Sequence, residues 1–285
     1  MKNHTVHTPK RITVLYHADC ADGFGAAWAA WKKFGKKAVY IAVPPSNREL
    51  PRSARGTDLY TLDYAIPLDA VDEIRKQVLS LTVIDHHVSN KASAEKADER
   101  LFQLENSGAV LAWKFFHGSK KAPRLLRHIE DSDLWKFHLK HTREITEALM
   151  LYDMNFKTWD KLIRDFENKK EKKYIEEGKV LLRLRERRIG RLIGFGEKRT
   201  FEGYKALVVN SPFYVSEIGH SIVKHGTPVA IIWSYREGKI VVSLRSDGKE
   251  VNVAELAELY GGGGHPAAAG FTFKVKDFLK FKKKK

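Results

Sequence analysis

The chain holds a single cysteine, Cys20, among 285 residues. No intrachain disulfide can form, and this usage fits a reducing cytoplasm. Also missing is any run of about 18 apolar residues, which argues against a membrane-spanning helix. The segment Met1 to Lys10 has no apolar stretch and does not read as a secretory signal. There is no internal repeat and no long low-complexity linker. Gly194-Phe195-Gly196 lacks the third glycine and the preceding strand of a dinucleotide-binding fingerprint. Acidic residues are outnumbered, 35 against 51 basic, for a formal charge of +16. That balance favours polyanionic partners through phosphate contacts and counterion release, although a basic surface also serves simply to stay solvated. The tail Lys274 to Lys285, with seven lysines, reads as a frayed basic end.

What is present suffices for two α/β domains, since 43% of the residues are hydrophobic. In the first half, strand and helix patterns alternate. Ile12 to Tyr16 is a β-branched run ending in His17. Gly25 to Phe34 reads as a helix, with Trp28 and Trp31 on its core side. Val39 to Val43 is a second strand, stopped by Pro44-Pro45. Asp58 to Leu62 is a third, ending in Asp63, and Pro67 opens a helix to about Val78. Leu81 to Ile84 is a fourth strand, leading into Asp85-His86-His87. Ser107 is placed to cap a helix from Gly108 to Phe116, and Leu125 to Ile129 continues helical toward Glu130 and Asp131. Such alternation predicts a mostly parallel sheet with helices on both faces. Ligands of such sheets bind beyond the carboxyl ends of the strands. His17, Asp63 and Asp85 are therefore expected to be neighbours in space. The charged stretch Asp160 to Arg191 reads as a connecting helix. Strands at Lys205 to Val209, Val229 to Tyr235 and Lys239 to Leu244, and a helix at Val253 to Tyr260, mark a smaller α/β domain. The expected division is residues 1–160, a linker 161–191, and residues 192–285.

Four clusters carry chemistry: His17-Ala18-Asp19-Cys20-Ala21-Asp22-Gly23, Asp63, Asp85-His86-His87, and Asp131-Ser132-Asp133. Carboxylates with imidazoles and no thiolate suit hard or borderline ions such as Mn²⁺ and Mg²⁺. Two such ions about 4 Å apart can hold a phosphate and activate a water for in-line attack. Singly, each cluster has a plainer reading: adjacent histidines by chance, an Asp-Gly turn, a helix cap. Joint placement at three strand ends outweighs those readings. His138 and His141 have no evident metal partner, and Cys20 reads as a small neutral neighbour, not a nucleophile.

Together these motifs resemble the DHH phosphoesterases, along nearly the whole chain. The strand followed by HADCADG resembles the family's first motif, Leu62-Asp63-Tyr64 the second, Asp85-His86-His87 the third and the Asp131/Asp133 stretch the fourth. Gly262-Gly263-Gly264-His265-Pro266, with Gly270 after it, matches the GGGH segment of the DHH-associated C-terminal domain. The resemblance implies that His17 and an aspartate of the first motif bind one ion, that Asp22 and His86 reach a second, and that Asp63 bridges them. It leaves Asp19 as either a ligand or a neighbour. In the fourth motif Asp131 is preferred over Asp133 as ligand. Asp85 would orient the site and His87 would touch the substrate phosphate. Arg245, Ser246 and Gly262 to His265 would grip substrate, the glycines as an anion nest.

The expected activity is two-metal hydrolysis of phosphodiester bonds in short single-stranded oligonucleotides or dinucleotides. The length gives the bare two-domain form, without the further domains of larger RecJ-type exonucleases. A pyrophosphatase, polyphosphatase or nucleotide bisphosphate phosphatase is the alternative enzyme. A non-catalytic nucleic-acid-binding protein with a decayed site is the third reading, and the retained carboxylates argue against it. A cytoplasmic location without membrane attachment is expected, with room for a homodimer.

Overall fold

The β-branched run that begins at Ile12 forms the second strand of a five-stranded parallel sheet in the computed structural model of the protein, which describes residues 12–44 and 47–275. The Met1 to Lys10 segment, Pro45 and nearly all of the lysine tail lie outside the described residues. The chain divides into unit 1, residues 1–182, and unit 2, residues 183–285.

Unit 1 runs β1 (Ile12–His17), α1 (Ala21–Phe34), β2 (Ala38–Val43), β3 (Asp58–Leu62), α2 (Val71–Arg75), β4 (Ser80–Asp85), α3 (Lys91–Ala94), β5 (Glu99–Phe102), α4 (Gly108–His117), α5 (Arg124–Asp133), α6 (Thr142–Ala148), α7 (Phe156–Glu167) and the first part of α8 (Lys172–Gly194). The sheet order is β2-β1-β3-β4-β5, and every pairing is parallel. From β1 the chain goes outward to β2, then returns to the other side of β1 for β3, β4 and β5. The reversal between β1 and β3 is the point where an open parallel sheet forms a crevice at its carboxyl edge.

Both faces of the sheet are buried at its central strands β1, β3 and β4, which is why these are mostly apolar. Leu15, Leu59, Leu81 and Val83 pack on one face with Ile66, Val71 and Ile74. Val14, Leu62 and Ile84 pack on the other with Ala26, Ala29 and Leu111. Behind that face, Trp28 stacks on Trp113, and Trp31 stacks on Phe156. Trp28 is thus a core residue, and Trp31 is partly buried against the same cluster.

Three local expectations change. Pro67 opens a turn that accepts from Ala70 and Val71 N–H, and the helix itself is only Val71–Arg75. The charged stretch expected as one connecting helix is two helices. Trp159, Leu162, Ile163 and Phe166 of α7 are buried in the core of unit 1, and α8 contains the boundary between units. β5 is hidden in the sequence by its charged, exposed residues Glu99 and Arg100.

Unit 2 contains the rest of α8, then β6 (Glu197–Phe201), β7 (Tyr204–Asn210), α9 (Val215–Lys224), β8 (Val229–Arg236), β9 (Lys239–Arg245), α10 (Val253–Glu258), β10 (Gly263–His265) and β11 (Ala268–Lys274). Its six-stranded sheet has the order β10-β11-β9-β8-β7-β6, and β7 with β8 is its one parallel pair among the described residues. Ile218 and Ile222 of α9 pack on one face with Val209 and Ile232. Val253 and Ala257 of α10 pack on the other with Val242 and Phe271.

Candidate metal centre

Strand ends at the β1/β3 reversal bring the expected groups together. His17 closes β1. Asp63 follows β3 directly, and its N–H still bonds Ile84 O across the ladder at 2.9 Å. Its backbone is left-handed, with φ 53°. A non-glycine residue pays for that conformation only where the surroundings hold it there. Asp85 closes β4, and His86 and His87 follow.

Asp63 is 3% exposed and stands between two imidazoles. Its Oδ2 lies 3.3 Å from His17 Nδ1, and its Oδ1 lies 3.2 Å from His86 Nε2. His86 Nε2 also lies 3.5 Å from Asp133 Oδ2 and 3.8 Å from Asp22 Oδ2. Donor atoms thus gather into three groups within 4.8 Å: Asp63 with Asp85, His86 and His87; His17 with Cys20 and Asp63; and Asp22 with His86 and Asp133. The carboxylate of Asp63 faces His17 of the second group and His86 of the third.

Two observations show that these residues suit divalent cations. Asp63 Oδ1 and His86 Nε2 are buried, face each other at 3.2 Å and have no well-aligned hydrogen-bond partner, a costly state for polar atoms unless something else engages them. The charges are also unbalanced. Burial raises the Asp22 carboxyl well above its usual range, and Asp63 and Asp133 push it further. Asp133 is raised by burial and by Asp63. Burial would raise Asp63 too, but His17, His86 and His87 hold it below the usual range. His86 is lowered by burial, yet Asp63, Asp133 and Asp22 together hold it up to about 9. Packed carboxylates of this kind repel one another until positive charge is supplied.

Supporting groups fix the donors. Asp85, fully buried, accepts at Oδ1 from the N–H of His86 (2.6 Å) and of His87 (3.0 Å) and from His87 Nδ1 (2.8 Å). Its Oδ2 accepts from Asn90 Nδ2 at 2.7 Å. Asp85 therefore sets the tautomer of His87 and, against the opposing effect of burial, raises its pKa. Asp22 accepts from Gly108 N–H (2.6 Å) and Ala109 N–H (3.0 Å), the first amides of α4. The cap of α4 comes from Asp22 on α1, since Ser107 gives no side-chain cap bond.

Other expected residues sit elsewhere. Asp19 is exposed, with φ 53°, and belongs to none of these donor groups. The preference for Asp131 over Asp133 is reversed. Asp131 accepts from His138 N–H (2.8 Å), Leu139 N–H (2.9 Å) and Thr142 Oγ1 (2.6 Å), which ties down the loop after α5. Asp133, two residues on, is the one beside His86. The Cys20 thiol is pushed up to about 12 by burial and by the Asp63 and Asp22 carboxylates, which agrees with its not being a nucleophile.

In unit 2, the glycine-rich segment is a strand. Gly263 to His265 pair antiparallel with Gly270 to Ala268, and Gly262 N–H is engaged by Ala257 O. His265 is exposed at the end of that strand. Arg245 is largely buried at the end of β9, its Nη2 donating to Ser216 Oγ at 3.1 Å, and burial lowers its pKa. Ser246 offers nothing outward: its hydroxyl donates to Val251 O at 2.6 Å and accepts from Gly248 N–H.

Residues 219–284 match the DHHA1 domain family. Unit 2 thus carries a DHHA1 domain, and the chain shares a mixed α/β architecture with the solved structures below. It is 26% identical to the uncharacterized protein R106 of Acanthamoeba polyphaga mimivirus over 308 residues, covering 99% of this chain and 72% of that protein. RecJ from Thermus thermophilus, solved in complex with Mn²⁺, is similar with a TM-score of 0.57 and 18% identity, over 96% of this chain and 51% of RecJ. PggH from Vibrio cholerae, a pGpG-specific phosphodiesterase, is similar with a TM-score of 0.54 and 15% identity, over 96% of each chain. These structural likenesses establish a shared fold.

Two further residues of unit 1 contribute to the site. Asn90 steadies Asp85 from three residues beyond His87, and an Asn just after the triplet is the available signal. Gly108 reads in the sequence only as a helix start. A Cβ there would lie 2.5 Å from Asp63 Cβ and 2.8 Å from Asp63 Oδ1, so only glycine lets α4 approach so closely.

Proposed function

We propose that the protein is a divalent-metal-dependent phosphoesterase that hydrolyses phosphodiester bonds of short oligonucleotides or dinucleotides. The observation that carries this reading is the Asp63 carboxylate, with one oxygen toward His17 and the other toward His86. His17 and Asp63 would hold one ion. Asp22, His86 and Asp133, with the other oxygen of Asp63, would hold a second. When bound, Mn²⁺ or Mg²⁺ supplies Lewis acidity and an acidified water for attack at phosphorus.

The chain's own groups do the rest. Asp85 keeps a proton on His87 Nδ1 and favours a second on Nε2, which suits His87 to donate to a phosphate oxygen. Asn90 and the two backbone amides hold Asp85 in place for that role. His265 and Arg245, with the backbone of Gly262 to Gly264, are our candidates for gripping a terminal phosphate. The formal charge of +16 suits an anionic substrate. The similarity to PggH supports the short end of the substrate range.

The test is a Mn²⁺- or Mg²⁺-supplemented panel of end-labelled RNA and DNA of stepped length, cyclic and linear dinucleotides, nucleotide bisphosphates and pyrophosphate. Metal-dependent release of mononucleotides from the shortest oligonucleotides is expected, and Asp63→Ala should abolish it and weaken metal binding. Exclusive cleavage of pyrophosphate would replace this reading with the pyrophosphatase one. Near-normal turnover by Asp63→Ala would refute the two-ion scheme.

A further inference from the structure

The donor groups of His17 and of Asp22 are unequal. Asp22, His86 and Asp133, joined by Asp63, give four protein donors to one side. The other side has only His17 and Asp63 among conventional hard or borderline donors. Asp19, the carboxylate expected there, is exposed and outside the group. The atom that stands in its place is Cys20 Sγ, gathered with the donor atoms of His17 and Asp63 within 4.8 Å. Cys20 sits at the junction of β1 and α1, with extended backbone (φ −129°, ψ 135°), and its C=O accepts from Phe24 N–H. The backbone N–H groups of Asp22 and Gly23, in the first turn of α1, point to its sulfur and favour the thiolate form.

Resting on the metal-centre reading above, we infer that Cys20 is a ligand of the ion held by His17 and Asp63, which makes that side a nitrogen, oxygen and sulfur site. On binding, the S–H bond breaks, the proton leaves to solvent, and the sulfur lone pair enters the coordination bond. Asp63 and Asp22, which disfavour a bare thiolate, also attract the cation whose charge reverses their effect. Thiolate favours softer ions, so this side should prefer Co²⁺, Zn²⁺ or Fe²⁺ to Mg²⁺, whereas the Asp22, His86 and Asp133 side should accept Mn²⁺ or Mg²⁺. The two ions of the centre would then differ in kind.

Cobalt tests this without reference to catalysis. The full-length protein, stripped with chelator, is titrated with Co²⁺ and followed by absorption from the near-ultraviolet to the visible. Cys20 is the chain's single cysteine, so an intramolecular thiolate-to-cobalt charge-transfer band has no other source. The expected result is that band in the wild type, saturating at one equivalent per chain and resisting excess Mg²⁺. It should vanish in Cys20→Ser and in Cys20→Asp, while both keep the visible ligand-field absorption of the second side. Visible absorption without the near-ultraviolet band in the wild type would overturn the inference and leave the metal centre standing. No cobalt absorption of either kind would overturn the metal centre itself. The wild-type spectrum decides the matter even if a variant folds poorly.

Discussion

Replacing Gly108 by alanine should damage the centre although no donor atom is removed. In an exposed helix, glycine to alanine normally adds about 0.5–1 kcal/mol of stability. At Gly108 the new methyl carbon would lie 2.5 Å from Asp63 Cβ and 2.9 Å from Asp63 Cγ. Ordinary carbon contacts are about 3.5–4.0 Å, so α4 or Asp63 must move by roughly 1 Å. The near atom is a Cβ and not the tip of a flexible chain, so rotating the side chain does not remove the clash. Overpacking of this kind costs about 1–3 kcal/mol, which reverses the usual sign. The same movement pulls Gly108 N–H away from Asp22 Oδ2, now 2.6 Å apart, and a misplacement of about 1 Å can cost roughly a hundredfold in rate. Gly190 in α8 supplies the control, being exposed with nothing within 4 Å of its would-be Cβ. Urea unfolding, Mn²⁺ calorimetry and hydrolysis should show Gly108→Ala destabilised, weak in metal binding and slow. Gly190→Ala should be unchanged or slightly stabilised. If Gly108→Ala matched Gly190→Ala in all three measurements, the close approach of α4 to Asp63 would be wrong.

The adjacent acids at the end of α5 should separate cleanly. Asp131→Ala removes three hydrogen bonds to a buried carboxylate and should cost about 3 kcal/mol or more in thermal unfolding. Asp133→Ala should leave the metal-free protein as stable or more stable, by relieving repulsion, while weakening Mn²⁺ binding in calorimetry; the reverse pattern would restore Asp131 as the ligand. His265→Ala should mainly raise KM for substrates with a terminal phosphate, and unchanged kinetics would remove it from the grip. His128, lowered to about 4 by burial, hydrogen-bonds Thr142 Oγ1 at 2.9 Å. The unfolded chain takes up this proton near pH 6.5 and the folded one only near 4, so stability should fall as pH drops through that window. Comparing Tm against pH for wild type and His128→Gln isolates this imidazole from the other titrating groups, and parallel curves would refute the assignment.

Much of unit 1 is legible in the sequence because its signals are local. Apolar strands buried on both faces read as continuous runs, and their ends fall on His17, Asp63 and Asp85. The side-chain choice at the fourth motif is not legible. Asp131 and Asp133 lie two residues apart on one helix, so at 3.6 residues per turn they point in nearly opposite directions. Only the packing of α5 against Thr142 on one side and His86 on the other decides between them. The glycine-rich segment misleads for a related reason. Its glycines read as an anion nest, but antiparallel pairing with Ala268 to Gly270 makes Gly263 to His265 an edge strand. α7 reads as part of a linker because charge dominates its composition, while its apolar stripe of Trp159, Leu162, Ile163 and Phe166 is the better guide.

The donor residues, from His17 to Asp133, all belong to unit 1, and the core beneath them is finished by Tyr174. Ribosomal synthesis proceeds from the N-terminus, and units of this kind fold as they emerge. The half that holds the proposed donors is therefore complete before the DHHA1 domain has been made. If the proposed centre binds metal, a nascent chain halted beyond residue 182 would already carry every proposed donor, and its choice of ion would be made before unit 2 is complete.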